Sequence, residues 1–137
     1  MNRRVLLLSM PYGALDRPAL GLSLLKAELT RARIRCDVRY FTFTMAEFLG
    51  DDYRRIGSTL PYTAFAGDWT FTGDLYGRDP GRDSRYVEEV LKGAWRLGAD
   101  DVERVLAARS LAPAFLDYCM EAVDWGRYGL VGFTSTF

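Results

Sequence analysis

The sequence predicts an α/β domain built on a parallel β-sheet. Val5–Leu8 is a continuous apolar run, as expected of a strand that is buried on both faces of such a sheet. Ala19–Arg33 follows with apolar residues at helical spacing, and Arg35–Phe41 then alternates like a second strand with one wetter face at a sheet edge. A strand, a helix and a strand within about forty residues form a βαβ unit, whose strands are parallel.

The first loop and the first helix carry the earliest functional signal. Ser9–Leu15 turns off the first strand, and Asp16 and Pro18 stand where a helix N-cap and an early helical proline belong. The helix is expected to lay a broad apolar face on the sheet, formed by Leu20, Leu22, Leu24, Leu25, Ala27, Leu29 and Ala32. Ligands of parallel α/β sheets bind beyond the carboxyl ends of the strands, which makes this loop the first candidate site.

An insert over about residues 44–125 separates the second strand from the third. Short helices are predicted over Thr44–Gly50 and Asp51–Leu60. Glycines and prolines predict that Pro61–Gly81 breaks regular structure. Its aromatic residues must pack on the core, a partner domain or a ligand, and we favour the first two: Tyr62, Phe65, Trp69, Phe71 and Tyr76.

Two longer helices complete the insert. Asp83 or Ser84 is predicted to cap the first of them, which ends at Gly98. Asp100–Glu103 resembles a capping signal for the second helix. Pro113 is expected to kink or restart that second helix.

The third strand is predicted at Tyr128–Phe133 and ends in the polar turn Thr134–Phe137. A strand and a polar turn normally lead into another helix, so we predict that residues 1–137 are the front part of a longer protein. The third strand would then be an open edge through which the chain self-associates.

Composition excludes several classes of function. The chain has 137 residues and a formal net charge of zero, which gives no case for nucleic acid or an anionic membrane as partner. No apolar run is long enough to span a bilayer or to serve as a secretory signal. The sequence has no histidine, which removes histidine bases and ligands. Cys36 and Cys119 are far apart and are predicted to be reduced core thiols of a cytoplasmic protein.

No phosphate or metal motif is present. Gly126, Gly129 and Gly132 mimic a dinucleotide fingerprint, but they lead into a strand rather than opening a helix. In a Rossmann-like sheet with the flavodoxin-like order 2-1-3, the turns Met10–Leu15 and Thr134–Phe137 face each other across the switch point. Their hydroxyls and backbone N–H groups suit phosphate, ribose or an amide-fringed cofactor, and the alternative for each hydroxyl is plain strand-end capping.

Several segments resemble a known family. Val5–Pro11, followed by Arg17–Leu22, resembles the start of the N-terminal cobalamin (B12)-binding domain of B12-dependent radical SAM enzymes. Leu130–Phe137 resembles the third strand and turn of that domain. Gly67–Phe71 and Leu75–Gly77 are similar to the subfamily called RiPP maturation radical SAM protein 1.

The resemblance implies that cobalamin binds at the carboxyl edge of the sheet. It assigns the corrin side to Met10, Pro11, Tyr12, Gly13 and Leu15, and the nucleotide tail to Thr134, Ser135 and Thr136. The Asp-x-His-x-x-Gly loop of other B12 domains is absent, so cobalamin would bind without a protein imidazole. No residue is assigned a catalytic or metal-binding role.

The resemblance also implies functions that need a separate domain. A radical SAM barrel, in cis or in trans, would hold S-adenosylmethionine and a [4Fe–4S] cluster through Cys-x-x-x-Cys-x-x-Cys, a motif that this sequence lacks. That barrel would receive a ribosomally made precursor peptide, and C-methylation is the expected reaction. Two alternatives stay open: a non-catalytic docking module or truncated gene product, and a flavin- or nucleotide-binding flavodoxin-like domain.

Overall fold

The computed structural model describes residues 4–134, which fold around one three-stranded parallel sheet. The strands are β1 (Val5–Ser9), β2 (Cys36–Tyr40) and β3 (Leu130–Thr134). Their order is β2-β1-β3, and β1 pairs in parallel with both neighbours. The predicted α/β class and the predicted strand order 2-1-3 are therefore confirmed.

Helices make up most of the remaining described chain. The α-helices are α1 (Leu20–Arg31), α2 (Phe41–Leu49), α3 (Asp51–Arg54), α4 (Ala66–Tyr76), α5 (Pro80–Arg85) and α6 (Ala99–Glu121). Arg55–Thr59 and Tyr86–Ala94 continue α3 and α5 with π-type hydrogen bonding, and 3₁₀ turns lie at Tyr62–Ala64 and Trp125–Arg127. Within residues 4–134, no helix combines the length and the apolar character that a membrane crossing requires.

The two faces of the sheet are covered by different helices. Val5 and Leu7 of β1 contact Leu22 of α1 on one face. The other face packs on α2 and α6 through Leu6, Leu8, Phe41, Met45 and Phe115. The insert has a second core of its own, formed by Ile56, Trp69, Leu91, Val105 and Ala108. The insert is thus a packed helical layer and not a solvated linker.

The apolar face of α1 is much less buried than predicted. Leu22 is buried, whereas Leu20, Leu24 and Leu25 are 69%, 58% and 54% exposed. A single helix covers only a stripe of a sheet, and the cluster around Leu22 contains residues of β1 and β2 but none of β3. The N-cap position of α1 is Ala19, without a side-chain cap, so the predicted capping by Asp16 is wrong.

The predicted break over Pro61–Gly81 is also wrong. The helix α4 runs through Gly67, where a Cβ atom would lie 2.6 Å from Cδ2 of Tyr12. Close tertiary packing here outweighs the poor helix propensity of glycine. The next helix begins at Pro80, and the Asp79 carboxylate caps it, rather than Asp83 or Ser84.

Pro113 does not restart the last helix of the insert. The helix α6 continues through it from Ala99 to Glu121. Proline removes one backbone hydrogen bond, but buried residues on both sides of it hold the helix in place: Val105, Ala108, Ala112, Phe115 and Cys119. Gly98 is the N-cap of α6 and not the end of the preceding helix, which closes at Ala94.

Candidate functional site

The carboxyl ends of the three strands form the candidate site. Ser9 at the end of β1 is in register with Tyr40 of β2 and Thr134 of β3. The Thr134 hydroxyl donates to the carbonyl of Leu8 at 3.4 Å, so in this structure it caps the strand end. The predicted contacts Ser135 and Thr136 lie outside the described residues.

Tyr12 connects the β1–α1 loop to the insert. A Cβ atom added at Gly57 would lie 2.8 Å from Cβ and 3.2 Å from Cδ1 of Tyr12, and one added at Gly67 would lie 2.6 Å from Cδ2 on the other edge of the ring. Its hydroxyl lies 3.2 Å from Oγ1 of Thr70 and is the donor, because the Thr70 hydroxyl donates to the Gly67 carbonyl. Burial raises the pKa of Tyr12 to about 12, so the side chain is neutral at physiological pH.

Tyr53 of α3 holds the same loop from a second point. Its hydroxyl donates to the carbonyl of Gly13 at 2.7 Å. Its ring centroid lies 5.3 Å from that of Tyr12, which in turn lies 6.4 Å from Phe71. Burial raises the pKa of Tyr53 above its usual value. The aromatic residues of the insert therefore fix the conformation of the candidate loop.

The structure places three of the predicted corrin-lining side chains toward the protein interior. Met10, Tyr12 and Leu15 are partly buried and pack against the core cluster between the sheet, α2 and α6. Pro11 and Gly13 are also partly buried. Because these apolar side chains pack inward, the loop exposes mainly its backbone groups to a ligand at the carboxyl edge of the sheet.

Thr42 is a candidate residue that the sequence analysis missed. It follows β2 in the first turn of α2, and its side chain is 1% exposed. Its Oγ1 atom has no hydrogen-bond partner among the described residues. Its Cγ2 atom would lie 3.0 Å from a Cβ added at Gly13, so the hydroxyl belongs to the wall under the loop. The sequence could have indicated Thr42, because it is a hydroxyl residue directly after the predicted second strand.

The donor groups of this edge fit an amide-fringed cofactor only in part. Hydroxyls and backbone N–H groups are suitable donors and acceptors for the amides of a corrin. The inward packing of Met10, Tyr12 and Leu15 means that any such contact would be made by the loop backbone. The fit to cobalamin is therefore one of position and donor type, and it does not rest on the predicted apolar side chains.

The cysteines do not form a ligand set. Cys36 is half-buried in β2, and Cys119 is buried in α6. Burial raises the pKa of the Cys119 thiol to about 11, which keeps it protonated. In the part of the chain that the structure describes, no group of three histidine, cysteine, aspartate or glutamate residues is arranged to hold a metal ion.

Comparison with known proteins adds no constraint to this geometry. No family model matches the chain, and neither a curated protein nor a solved structure matches it. A functional proposal therefore rests on two observations, which are the arrangement of the strand ends and the sequence resemblance.

Proposed function

We propose that this chain is the cobalamin-binding portion of a cytoplasmic radical SAM enzyme that matures ribosomally synthesised peptides by C-methylation. One observation carries the proposal: the parallel pairing of β1 with β3 brings the Met10–Leu15 loop beside Thr134 at the switch point of the sheet. The absence of histidine agrees with a cobalamin that is held without a protein imidazole.

The role of this chain is to bind and orient the cofactor. Cobalamin bound there would supply the methyl-carrier chemistry for C-methylation. Tyr12 and Tyr53 fix the loop, and the loop backbone with Thr134 offers polar groups at the cofactor edge. The [4Fe–4S] cluster and S-adenosylmethionine belong to a barrel domain, because two distant cysteines cannot supply the three-cysteine motif.

The test is a titration of the 137-residue chain with hydroxocobalamin, followed by difference absorbance. Ala14 is exposed in the loop, and Ala14→Trp should weaken binding at least about tenfold by blocking the approach of a corrin, a loss of about 1.4 kcal/mol. Gly21→Trp is the matched control, because no atom lies within 4 Å of a Cβ at that position on α1. The resemblance further predicts weaker binding for Ser135→Trp.

The same titration separates the alternatives. Equal affinity of the wild type and Ala14→Trp would remove the loop from the site. Saturable binding of FMN without binding of hydroxocobalamin would favour a flavodoxin-like flavin domain instead. If the folded chain binds neither ligand at millimolar concentration, the cofactor proposal is contradicted. The remaining alternative is then a non-catalytic docking module.

A further inference from the structure

The insert contains an arginine-lined cavity that is separate from the β1–α1 loop. It has a volume of about 260 Å³ and lies between α4, α5 and α6. Its charged lining residues are Arg82, Arg109 and Asp83, and Asp79 pairs with Arg82 beside the cavity. Two guanidinium groups at one cavity supply N–H donors that suit an anionic ligand.

Arg109 supplies a preorganised donor in this cavity. Its side chain is only 8% exposed, and its Nη2 atom donates to Asp83 at 2.7 Å. Its Nη1 atom donates to Oγ1 of Thr72 at 2.8 Å and to the carbonyl of Trp69. The Nε–H group has no acceptor among residues 4–134. These bonds use three of the five guanidinium N–H donors, and the planar group holds the remaining Nε–H and one Nη2–H in fixed orientations.

Aromatic rings give the cavity an apolar wall. The Arg109 guanidinium lies 4.0 Å from the ring centroid of Trp69. Trp69 is itself stacked on Tyr86 with centroids 4.5 Å apart and an interplanar angle of 14°. Tyr76 lies at the rim and is 68% exposed. The stacked rings of Trp69 and Tyr86, together with the exposed ring of Tyr76, can contact the apolar part of a small ligand.

Arg82 places a second, more accessible cation at the same cavity. Its side chain is 52% exposed, lies 3.2 Å from the carboxylate of Asp79 and donates to the carbonyl of Gly77 at 3.1 Å. An exposed ion pair of this kind is weak, so the guanidinium can turn to an incoming anion at little cost. A planar carboxylate matches guanidinium donors better than a spherical ion does.

We propose that this cavity binds a small organic carboxylate. Its carboxyl group accepts from the Nε–H of Arg109 and from Arg82, and its apolar body lies along Tyr76 and the Trp69–Tyr86 stack. The site is spatially separate from the cofactor site proposed at the sheet edge, since none of its lining residues belongs to the β1–α1 loop.

Benzoate is the probe for this site, and benzamide is its neutral isostere. The full chain is titrated with each compound while NMR follows the arginine Nε–H signals and the tryptophan indole N–H signals, with Trp69→Phe assigning the relevant indole. Benzoate should give a saturable shift at millimolar concentration, and benzamide should bind at least about tenfold more weakly, because it lacks the charge.

Variants test whether the cavity is responsible. Arg82→Gln should weaken benzoate binding about three- to fivefold, the effect of losing one partly exposed charge. Arg104→Gln removes the same charge from α6 outside the cavity, where Arg104 pairs with Asp52, and should leave the affinity within about twofold. No saturable shift, equal binding of benzamide and benzoate, or equal effects of Arg82→Gln and Arg104→Gln would each overturn the proposal.

Discussion

Gly67→Ala should destabilise the protein, although alanine is the better helix former. The change adds a Cβ atom 2.6 Å from Cδ2 and 3.0 Å from Cε2 of Tyr12, where ordinary contacts begin at 3.4 Å. The nearer atom would have to move by at least 0.8 Å, the difference between 3.4 and 2.6 Å. Tyr12 cannot withdraw easily, because Gly57 faces its other edge and Thr70 holds its hydroxyl.

The expected magnitude follows from two opposing terms. Overpacking a core costs about 1–3 kcal/mol, and replacing glycine by alanine in a helix gains up to about 1 kcal/mol. Gly67→Ala should therefore lower the free energy of unfolding by about 1–2 kcal/mol. Gly21→Ala is the matched control: Gly21 is also the second residue of its helix, and no atom lies within 4 Å of its added Cβ. That variant should gain about 0.5–1 kcal/mol.

Urea unfolding, followed by circular dichroism, measures both changes. A second pair of proteins, Tyr12→Ala and Tyr12→Ala with Gly67→Ala, isolates the contact in a double-mutant cycle. In the Tyr12→Ala background the added methyl group no longer meets the Tyr12 ring, which supplies its three nearest atoms, so Gly67→Ala should become neutral or stabilising. If Gly67→Ala is as stable as Gly21→Ala, or if its penalty is unchanged without the Tyr12 ring, the packing of Tyr12 against Gly67 is refuted.

Three further predictions concern other contacts. Tyr53→Phe removes the hydroxyl that donates to Gly13 and should cost about 1 kcal/mol in urea unfolding; an unchanged midpoint would contradict that bond. The hydrogen bond from Arg55 lowers the pKa of Asp101 below its ordinary value. The pair therefore stabilises the fold at any pH above that ordinary pKa and loses its effect as the pH falls through the lower pKa of the folded state. Asp101→Asn should therefore lose less stability between neutral and acid pH than the wild type, and parallel acid-unfolding curves would refute this. The edge strand β3 contains no charged residue, and its exposed Phe133 favours pairing with a second copy of the chain. Phe133→Lys should shift sedimentation toward the monomer, and a wild type that is already monomeric at high concentration would contradict the pairing.

The sheet was predictable because its signals are local. A strand buried on both faces needs apolar residues at every position, and all four residues of Val5–Leu8 are apolar. The charged alternates of β2 correctly indicated an edge strand, since burial of Asp37 and Arg39 inside a sheet would leave charges without water. Connection rules then restricted the order of three parallel strands to very few choices.

The insert was harder to predict because its structure depends on distant contacts. Gly67 breaks a helix in isolation, but it is the residue type that lets α4 approach Tyr12, which lies 55 positions earlier in the sequence. Pro113 is tolerated because the buried faces on both sides of it hold α6 together. The same limitation applies to the loop: the sequence marked Tyr12 as part of a ligand edge, and only the packing shows that its ring turns into the insert.

Because the insert anchors the loop, we predict that binding of the proposed cofactor is coupled to the stability of the insert. Tyr12 and Tyr53 connect the loop to the insert, so a change that strains the packing of Tyr12 should also displace the loop. A ligand at one hundred times its Kd stabilises the folded state by about 2.7 kcal/mol, and coupling between two sites is reciprocal. Hydroxocobalamin should therefore increase hydrogen-exchange protection of α4, and Gly67→Ala should weaken hydroxocobalamin binding without touching the ligand. Gly21→Ala should do neither. Weaker binding in Gly67→Ala with no added protection of α4 in the wild type would contradict the coupling, because reciprocity requires both effects.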